Sequence, residues 1–142
     1  MLPKDFKLPK RYLKLNENDL FILLKNLIPD LTKSSNYYST TDCTSTKKKM
    51  VVEMKCRTDE KWDSVLFEEK KYNEILNHSM KNKRFIVSTP YNVWSWNIGD
   101  IQPPVFFDKW VPLDSSGQEW GWKKVTYLKY SLAENITKKL GL

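Results

Sequence analysis

Residues 50–57 read Met-Val-Val-Glu-Met-Lys-Cys-Arg, and this stretch decides the predicted fold. Its even positions are all apolar, whereas Glu53, Lys55 and Arg57 occupy odd positions after Val51. Successive side chains of a β-strand point to opposite faces of the sheet. The pattern therefore predicts a strand with one apolar face and one face on which an acid is followed by two cations.

The segments around this strand predict a mixture of helices and strands. Asn16 can cap a helix over 16–28, because Asp19 follows three residues later and Pro29 ends the run of leucines. The other predicted elements are a strand at 36–43, a turn at 44–49, a helix at 63–77, a basic break at 81–84, strands at 85–88, 91–98 and 123–130, and a helix at 132–140. No element is predicted for 100–121. This order indicates an α/β protein of the mixed α+β kind, with a central mixed β-sheet of about four or five strands flanked by helices.

The composition indicates a single domain over 1–142, of which the basic residues 1–15 form a predicted N-terminal arm. There are 24 Lys and Arg against 17 Asp and Glu, so the net charge is +7, which favours polyanionic partners and nucleic acid first. The aromatic fraction of 13% excludes a disordered chain. The longest apolar run, 20–24, is too short to cross a membrane. Because no apolar segment of a secretory signal follows the basic N-terminus, we expect a cytoplasmic protein.

Asp42 lies at the end of the strand that precedes residues 50–57 along the chain. Pairing of the two strands as a hairpin would bring Asp42 close to the face that carries Glu53 and Lys55. Adjacent carboxylates repel each other, and a hard divalent cation removes that cost. Such a cation polarises a phosphodiester, and a neighbouring lysine can position a water molecule. These residues therefore favour metal-assisted hydrolysis of phosphodiesters.

This set of residues resembles the PD-(D/E)xK nucleases, which have the restriction-endonuclease-like fold. Asp42 corresponds to the first acid of the motif and Glu53-x-Lys55 to its second part, while Thr41 stands where the motif's name has proline. The resemblance covers 36–77 and extends to small phage-encoded nucleases and Holliday-junction resolvases. It implies a DNA endonuclease that requires Mg²⁺ or Mn²⁺ and, if phage-encoded, acts in the cytoplasm of the host cell.

The resemblance also implies a role for each residue of the motif. Asp42 and Glu53 would bind the metal together with the backbone carbonyl of Met54. Lys55 would orient the attacking water. Many relatives with one site per chain dimerise to cut both strands, so the resemblance makes a homodimer an expected state.

Two further candidate catalytic residues lie on the predicted helices. Many members of the family carry an acid on the first helix, and Glu17 is the best match, although the helix dipole also favours a carboxylate there. Lys71 lies three residues after Glu68 on the second helix and is a candidate phosphate contact. Alternatively, these charges support each other on a solvated helix face.

Basic residues outside this site predict DNA as the partner. Lysine and arginine clusters are candidate phosphate contacts, although such clusters often form plain solvated surface. The candidate nucleic-acid-binding residues are Lys47, Lys48, Lys49, Arg57, Lys81, Lys83 and Arg84.

Two other functions stay open at this point. The three motif residues could form an ordinary cross-strand ion pair, and the chain would then be a non-catalytic nucleic-acid-binding protein on a nuclease-like fold. It could also be an interaction protein that engages a host enzyme through its tryptophans, since Trp is enriched at binding hot spots. The alternating pairs Trp94 with Trp96 and Trp120 with Trp122 nevertheless favour a core position, because each ring buries a large area.

Overall fold

The computed structural model describes residues 13–34, 42–114 and 116–142. The predicted arm over 1–15 and the predicted strand over 36–43 therefore lie largely outside the described residues. In chain order the described elements are α1 (Glu17–Leu27), β1 (Thr32–Lys33), β2 (Cys43–Ser45), β3 (Met50–Cys56), β4 (Ser64–Glu68), α2 (Glu69–Leu76), β5 (Asn82–Ser88), β6 (Val93–Asn97), β7 (Phe107–Pro112), β8 (Trp120–Lys129) and β9 (Glu134–Asn135), with 3-10 turns at Tyr130–Leu132 and Lys138–Leu140. None of the described helices has the length and apolar character needed to span a membrane.

The larger of the two sheets is mixed, and within the described residues its strands follow the order β1-β2-β3-β5-β6-β9. β3 pairs parallel with β5 and antiparallel with β2, so β3 is a central strand. Glu53 stands opposite Phe85, and Lys55 stands opposite Val87. β5 begins at Asn82, inside the predicted basic break. The prediction of a mixed sheet flanked by helices is confirmed, and the two-residue edge strands β1 and β9 account for the larger number of strands.

α1 covers one face of this sheet. Leu20 and Leu24 are fully buried and belong to the same apolar cluster as Met54 of β3. A capping box begins the helix: the Asp19 amide donates to Asn16 Oδ1 at 2.8 Å, and the Asn16 amide donates to Asp19 Oδ2 at 3.2 Å. The first predicted helix is therefore present, one residue shorter at each end.

The opposite face is covered by α2 and by a second sheet of order β4-β8-β7. The prediction of one helix over 63–77 is wrong in its first part, because β4 occupies that part and α2 starts only at Glu69. Val65 and Phe67 of β4 alternate with half-buried neighbours, and Phe67 stacks on Phe85 with ring centroids 4.5 Å apart. Pairing with β8, a strand distant in sequence, outweighs the helical pattern.

The C-terminal part also differs from the prediction. Residues 107–112 form β7, which pairs with β8 along its whole length, although prolines interrupt the local pattern. The helix predicted over 132–140 is absent, and β9 and two 3-10 turns take its place. The Ile136 amide donates to the Val93 carbonyl at 2.9 Å, and Ile136 is buried with Leu140 in the cluster below α1. Edge pairing and burial therefore outweigh local helix propensity here.

Candidate metal-dependent active site

Asp42 and Glu53 lie side by side because β2 and β3 pair antiparallel. Cys43 stands opposite Val52 in this ladder, so the next position places Asp42 opposite Glu53. Asp42 Oδ2 accepts a hydrogen bond from the Met54 amide at 2.7 Å, which fixes the carboxylate against β3. The structure thus brings the two predicted acids together.

Glu53 is a buried carboxylate whose charge is only partly compensated. The residue is 6% exposed, and its Oε2 atom has no hydrogen-bond partner among the described residues. Burial, followed by the negative charge of Asp42, raises the pKa of Glu53 to about 7, although Lys71 and Lys55 act in the opposite direction. An unsatisfied buried oxygen costs free energy, and a cation bound to it would remove that cost.

Lys71 of α2 contacts Glu53 from the helix that covers this face. Its Nζ lies 3.4 Å from Glu53 Oε1 and 3.2 Å from Glu74 Oε2. Burial alone would lower the pKa of Lys71, but the two carboxylates outweigh burial, and the pKa is raised. Glu74 is not among the residues predicted from the sequence, although its helical spacing of three from Lys71 is a signal that could have revealed it.

Lys55 shares a face of β3 with Glu53 and is exposed to solvent. Its positive charge lowers the pKa of Glu53, so it acts on the same site. The side chain of Met54 is buried on the opposite face at 1% exposure. The roles of Lys55 in orienting water and of the Met54 carbonyl in binding metal stay predictions.

Glu17 lies in the first turn of α1 and is exposed. Burial, followed by the charges of Glu17 and Asp19, raises the pKa of the Cys56 thiol to about 11, which places Glu17 near the end of β3. Across residues 13–34, 42–114 and 116–142, no group of three or more His, Cys, Asp or Glu residues could hold a metal ion. The structure therefore does not assemble Glu17 with Asp42 and Glu53 as a third ligand.

Asp42 and Glu53 alone are a suitable ligand set for a hard divalent cation. Mg²⁺ prefers oxygen ligands and is commonly bound by one or two carboxylates, with water and substrate in the other positions. The unsatisfied Oε2 atom of Glu53 fits this chemistry, because it is a buried anionic oxygen that no described protein group satisfies.

The predicted DNA-contacting residues fall into two groups by exposure. The exposed residues are Lys47, Lys48, Lys49 and Lys81. The half-buried residues are Arg57, Lys83 and Arg84. The Lys83 ammonium donates to the backbone carbonyls of His78 and Met80, the second at 2.7 Å, and Arg57 donates to the Leu66 carbonyl at 3.4 Å. The exposed group, three members of which form the turn between β2 and β3, is therefore better placed to meet a phosphate.

The fold has a counterpart among solved structures. It is similar to that of Hjc from Archaeoglobus fulgidus, a Holliday junction resolvase from an archaeal hyperthermophile, with a TM-score of 0.54. The similarity covers 88% of this chain and 92% of the other at 10% sequence identity. No protein-family model matches the sequence, and no curated protein matches it. The chain therefore has the restriction-endonuclease-like fold, which is the fold of the PD-(D/E)xK nucleases that residues 42 to 55 resemble.

Proposed function

We propose that this protein is a DNA endonuclease that requires Mg²⁺ or Mn²⁺ and hydrolyses phosphodiester bonds. The observation that carries the proposal is the adjacent pair of carboxylates of Asp42 and Glu53, because the Oε2 atom of Glu53 is buried without a hydrogen-bond partner in the described part of the chain. The restriction-endonuclease-like fold supports the proposal. The likeness to a Holliday junction resolvase makes branched DNA the first substrate to test.

Each residue of the site would have a separate role. Asp42, Glu53 and the carbonyl of Met54 would hold the cation, which would polarise the phosphodiester and neutralise the charge that develops on it. Lys55 would orient the attacking water from the exposed side of the site. Before the metal binds, Lys71 would hold the Glu53 carboxylate in position through its contact at 3.4 Å.

DNA is the proposed partner because the chain has a net charge of +7 and an exposed lysine turn beside β3. Binding through phosphate contacts should weaken steeply as the salt concentration rises. A homodimer would present two sites to the two strands of a duplex or junction. Sedimentation of the protein with and without a four-way junction would measure its oligomeric state.

The direct test is cleavage of plasmid, linear duplex and four-way-junction DNA in the presence of Mg²⁺, Mn²⁺ or EDTA. We expect Asp42→Asn, Glu53→Gln and Lys55→Gln each to reduce the cleavage rate by at least about 100-fold, because each removes one charged group from the reacting centre. EDTA should abolish cleavage by the wild type.

Glu134 and Lys139 supply the matched controls. They form an exposed ion pair at 3.3 Å in the C-terminal segment, so Glu134→Gln and Lys139→Gln make the same chemical changes outside the site. Both controls should retain wild-type activity. If the wild type and the three site variants cleave equally well, the activity comes from elsewhere and the proposal is wrong.

A non-catalytic nucleic-acid-binding protein on the same fold is the second candidate. The observation that favours it is the exposed turn formed by Lys47, Lys48 and Lys49, which can contact phosphates without a metal. Titration with Mn²⁺ separates the two functions. A nuclease site should bind Mn²⁺ and lose most of that affinity in Asp42→Asn, whereas a pure DNA-binding protein should show no such difference.

A further inference from the structure

Lys71 lies between two carboxylates that differ in burial. Glu53 is 6% exposed and belongs to the central strand β3, whereas Glu74 lies one helical turn after Lys71 on α2 and is half-buried, although its Oε2 atom is buried and has no hydrogen-bond partner among the described residues. The Lys71 ammonium is within 3.4 Å of the first carboxylate and 3.2 Å of the second. A single cation is therefore shared between a buried site residue and a residue of the covering helix.

Lys71 is the counter-ion of Glu53 in the absence of metal. A divalent cation that binds the same carboxylate would be repelled by an ammonium group a few ångströms away. The ammonium would have to weaken its contact with Glu53, and this movement is easier if another acceptor already holds it. Glu74 is such an acceptor, because its carboxylate contacts the same Nζ atom and its helical spacing of three keeps it beside Lys71.

We propose that Lys71 and Glu74 form an exchange pair that sets the affinity of the site for divalent cations. Lys71 partly compensates the charge of Glu53 when no metal is bound, and Glu74 retains the ammonium when a metal binds the Glu53 carboxylate. Glu74 is thus a positioning residue that acts through Lys71. The inference rests on the proposed metal site, but it concerns two residues of α2 outside the Asp-Glu-x-Lys motif.

The test is a double-mutant cycle in which the affinity for Mn²⁺ is measured by calorimetry on the full chain at pH 8, without DNA. Glu74→Gln should weaken Mn²⁺ binding by about three- to tenfold, because Lys71 then loses its ion pair with Glu74 and competes more strongly for Glu53. In a Lys71→Met background, Glu74→Gln should change the affinity by less than about twofold. Glu74→Asp keeps the negative charge, so it should bind Mn²⁺ more tightly than Glu74→Gln does.

Glu69→Gln is the matched control, since it removes a carboxylate from the same helix and should leave the affinity unchanged. A Glu74→Gln effect of equal size in both backgrounds would mean that Glu74 acts directly on the metal, and the exchange pair would be refuted while the proposed metal site stood. If the wild type and Asp42→Asn bind Mn²⁺ equally weakly, the metal site itself is refuted, and the exchange pair with it. Circular dichroism of each variant establishes that it is folded, and Glu74→Ala, which also removes the carboxylate, replaces Glu74→Gln in both backgrounds if Glu74→Gln does not fold.

Discussion

Glu53 and Glu60 are two inward-facing carboxylates that the fold treats differently. Glu60, in the segment between β3 and β4, accepts hydrogen bonds from Thr89 Oγ1 at 2.8 Å, Asn92 Nδ2 at 3.2 Å and Trp94 Nε1 at 2.5 Å. Glu53 is more deeply buried, but it has one ammonium contact and leaves Oε2 without a hydrogen-bond partner among the described residues. One carboxylate is satisfied by the protein, and the other is not.

The difference separates a structural acid from a candidate ligand. A buried carboxylate with several donors ties elements together and stabilises the native state. A buried carboxylate with too few donors is destabilising, and such a cost is commonly retained where a function needs the group. The free energy of unfolding should therefore change in opposite directions when the carboxylate is removed from each of the two residues.

The largest effect is expected at Glu60. Glu60→Ala leaves the donors of Thr89, Asn92 and Trp94 without their acceptor, so the free energy of unfolding should fall by about 3 kcal/mol. Urea denaturation followed by tryptophan fluorescence would measure it. Glu134→Ala, at an exposed position, should change the free energy of unfolding by less than about 0.5 kcal/mol. A similarly small change for Glu60→Ala would contradict a structural role.

Glu53→Gln should raise the free energy of unfolding, by slightly less than Glu60→Ala lowers it. The pKa of Glu53 in the folded protein, about 7, lies above its ordinary value of 4.5, so folding favours the protonated form. The difference corresponds to about 3 kcal/mol of destabilisation once the group is ionised. Because a buried amide also has a desolvation cost, we expect Glu53→Gln to stabilise the metal-free protein by about 2 kcal/mol at pH 8.

The stabilisation by Glu53→Gln should depend on pH. Below pH 4.5 Glu53 is protonated in both the folded and the unfolded state and makes no difference to stability. As the pH rises from 4.5 through 7, the unfolded state loses its proton first, so the wild type should lose stability relative to Glu53→Gln. The gain from the substitution should accordingly be much smaller at pH 5 than at pH 8. A Glu53→Gln variant less stable than the wild type at pH 8 would show that Glu53 is structural, like Glu60.

The sequence predicts the parts of the fold and site that depend on local pattern. The capping box of Asn16 and the leucines of α1 are local signals, and so is the alternation that places Glu53 and Lys55 on one face of β3. The same alternation does not reveal that both faces of β3 are covered. Burial of Glu53 depends on α2 and on pairing with β5, which is distant in sequence.

The second sheet could not be predicted for the same reason. β4 pairs with β8, and neither segment alone indicates a partner so distant along the chain. The tryptophans show the consequence: Trp96 is fully buried and Trp94 half-buried, as the core interpretation predicts, but Trp120 and Trp122 are 48% and 68% exposed. Both pairs have the same alternating spacing, so only the position of each strand in its sheet distinguishes them.

Metal binding should give Glu53 the partner that it lacks, whereas Glu60 already has its partners within the protein. If Mg²⁺ satisfies Glu53, its addition at ten times the dissociation constant should raise the free energy of unfolding by about 1.4 kcal/mol. Thermal unfolding with and without Mg²⁺ would measure the shift. The shift should disappear in Glu53→Gln and Asp42→Asn but persist in Glu60→Gln, since Glu60 has its own protein donors. A shift that persists in both site variants would place the binding site elsewhere.

The smallest effect on stability is expected for Lys55→Gln. This substitution should therefore distinguish a loss of activity from a loss of folding most clearly. Lys55 is exposed on β3, so Lys55→Gln should change the free energy of unfolding by less than about 0.5 kcal/mol. The same substitution should nevertheless reduce DNA cleavage by the proposed 100-fold or more, because the proposed role of the lysine is to orient the reacting water and not to stabilise the fold. Parallel unfolding and cleavage measurements on one preparation would test this. If Lys55→Gln loses stability as well as cleavage activity, the loss of activity reflects unfolding, and Lys55 has a structural role in the sheet.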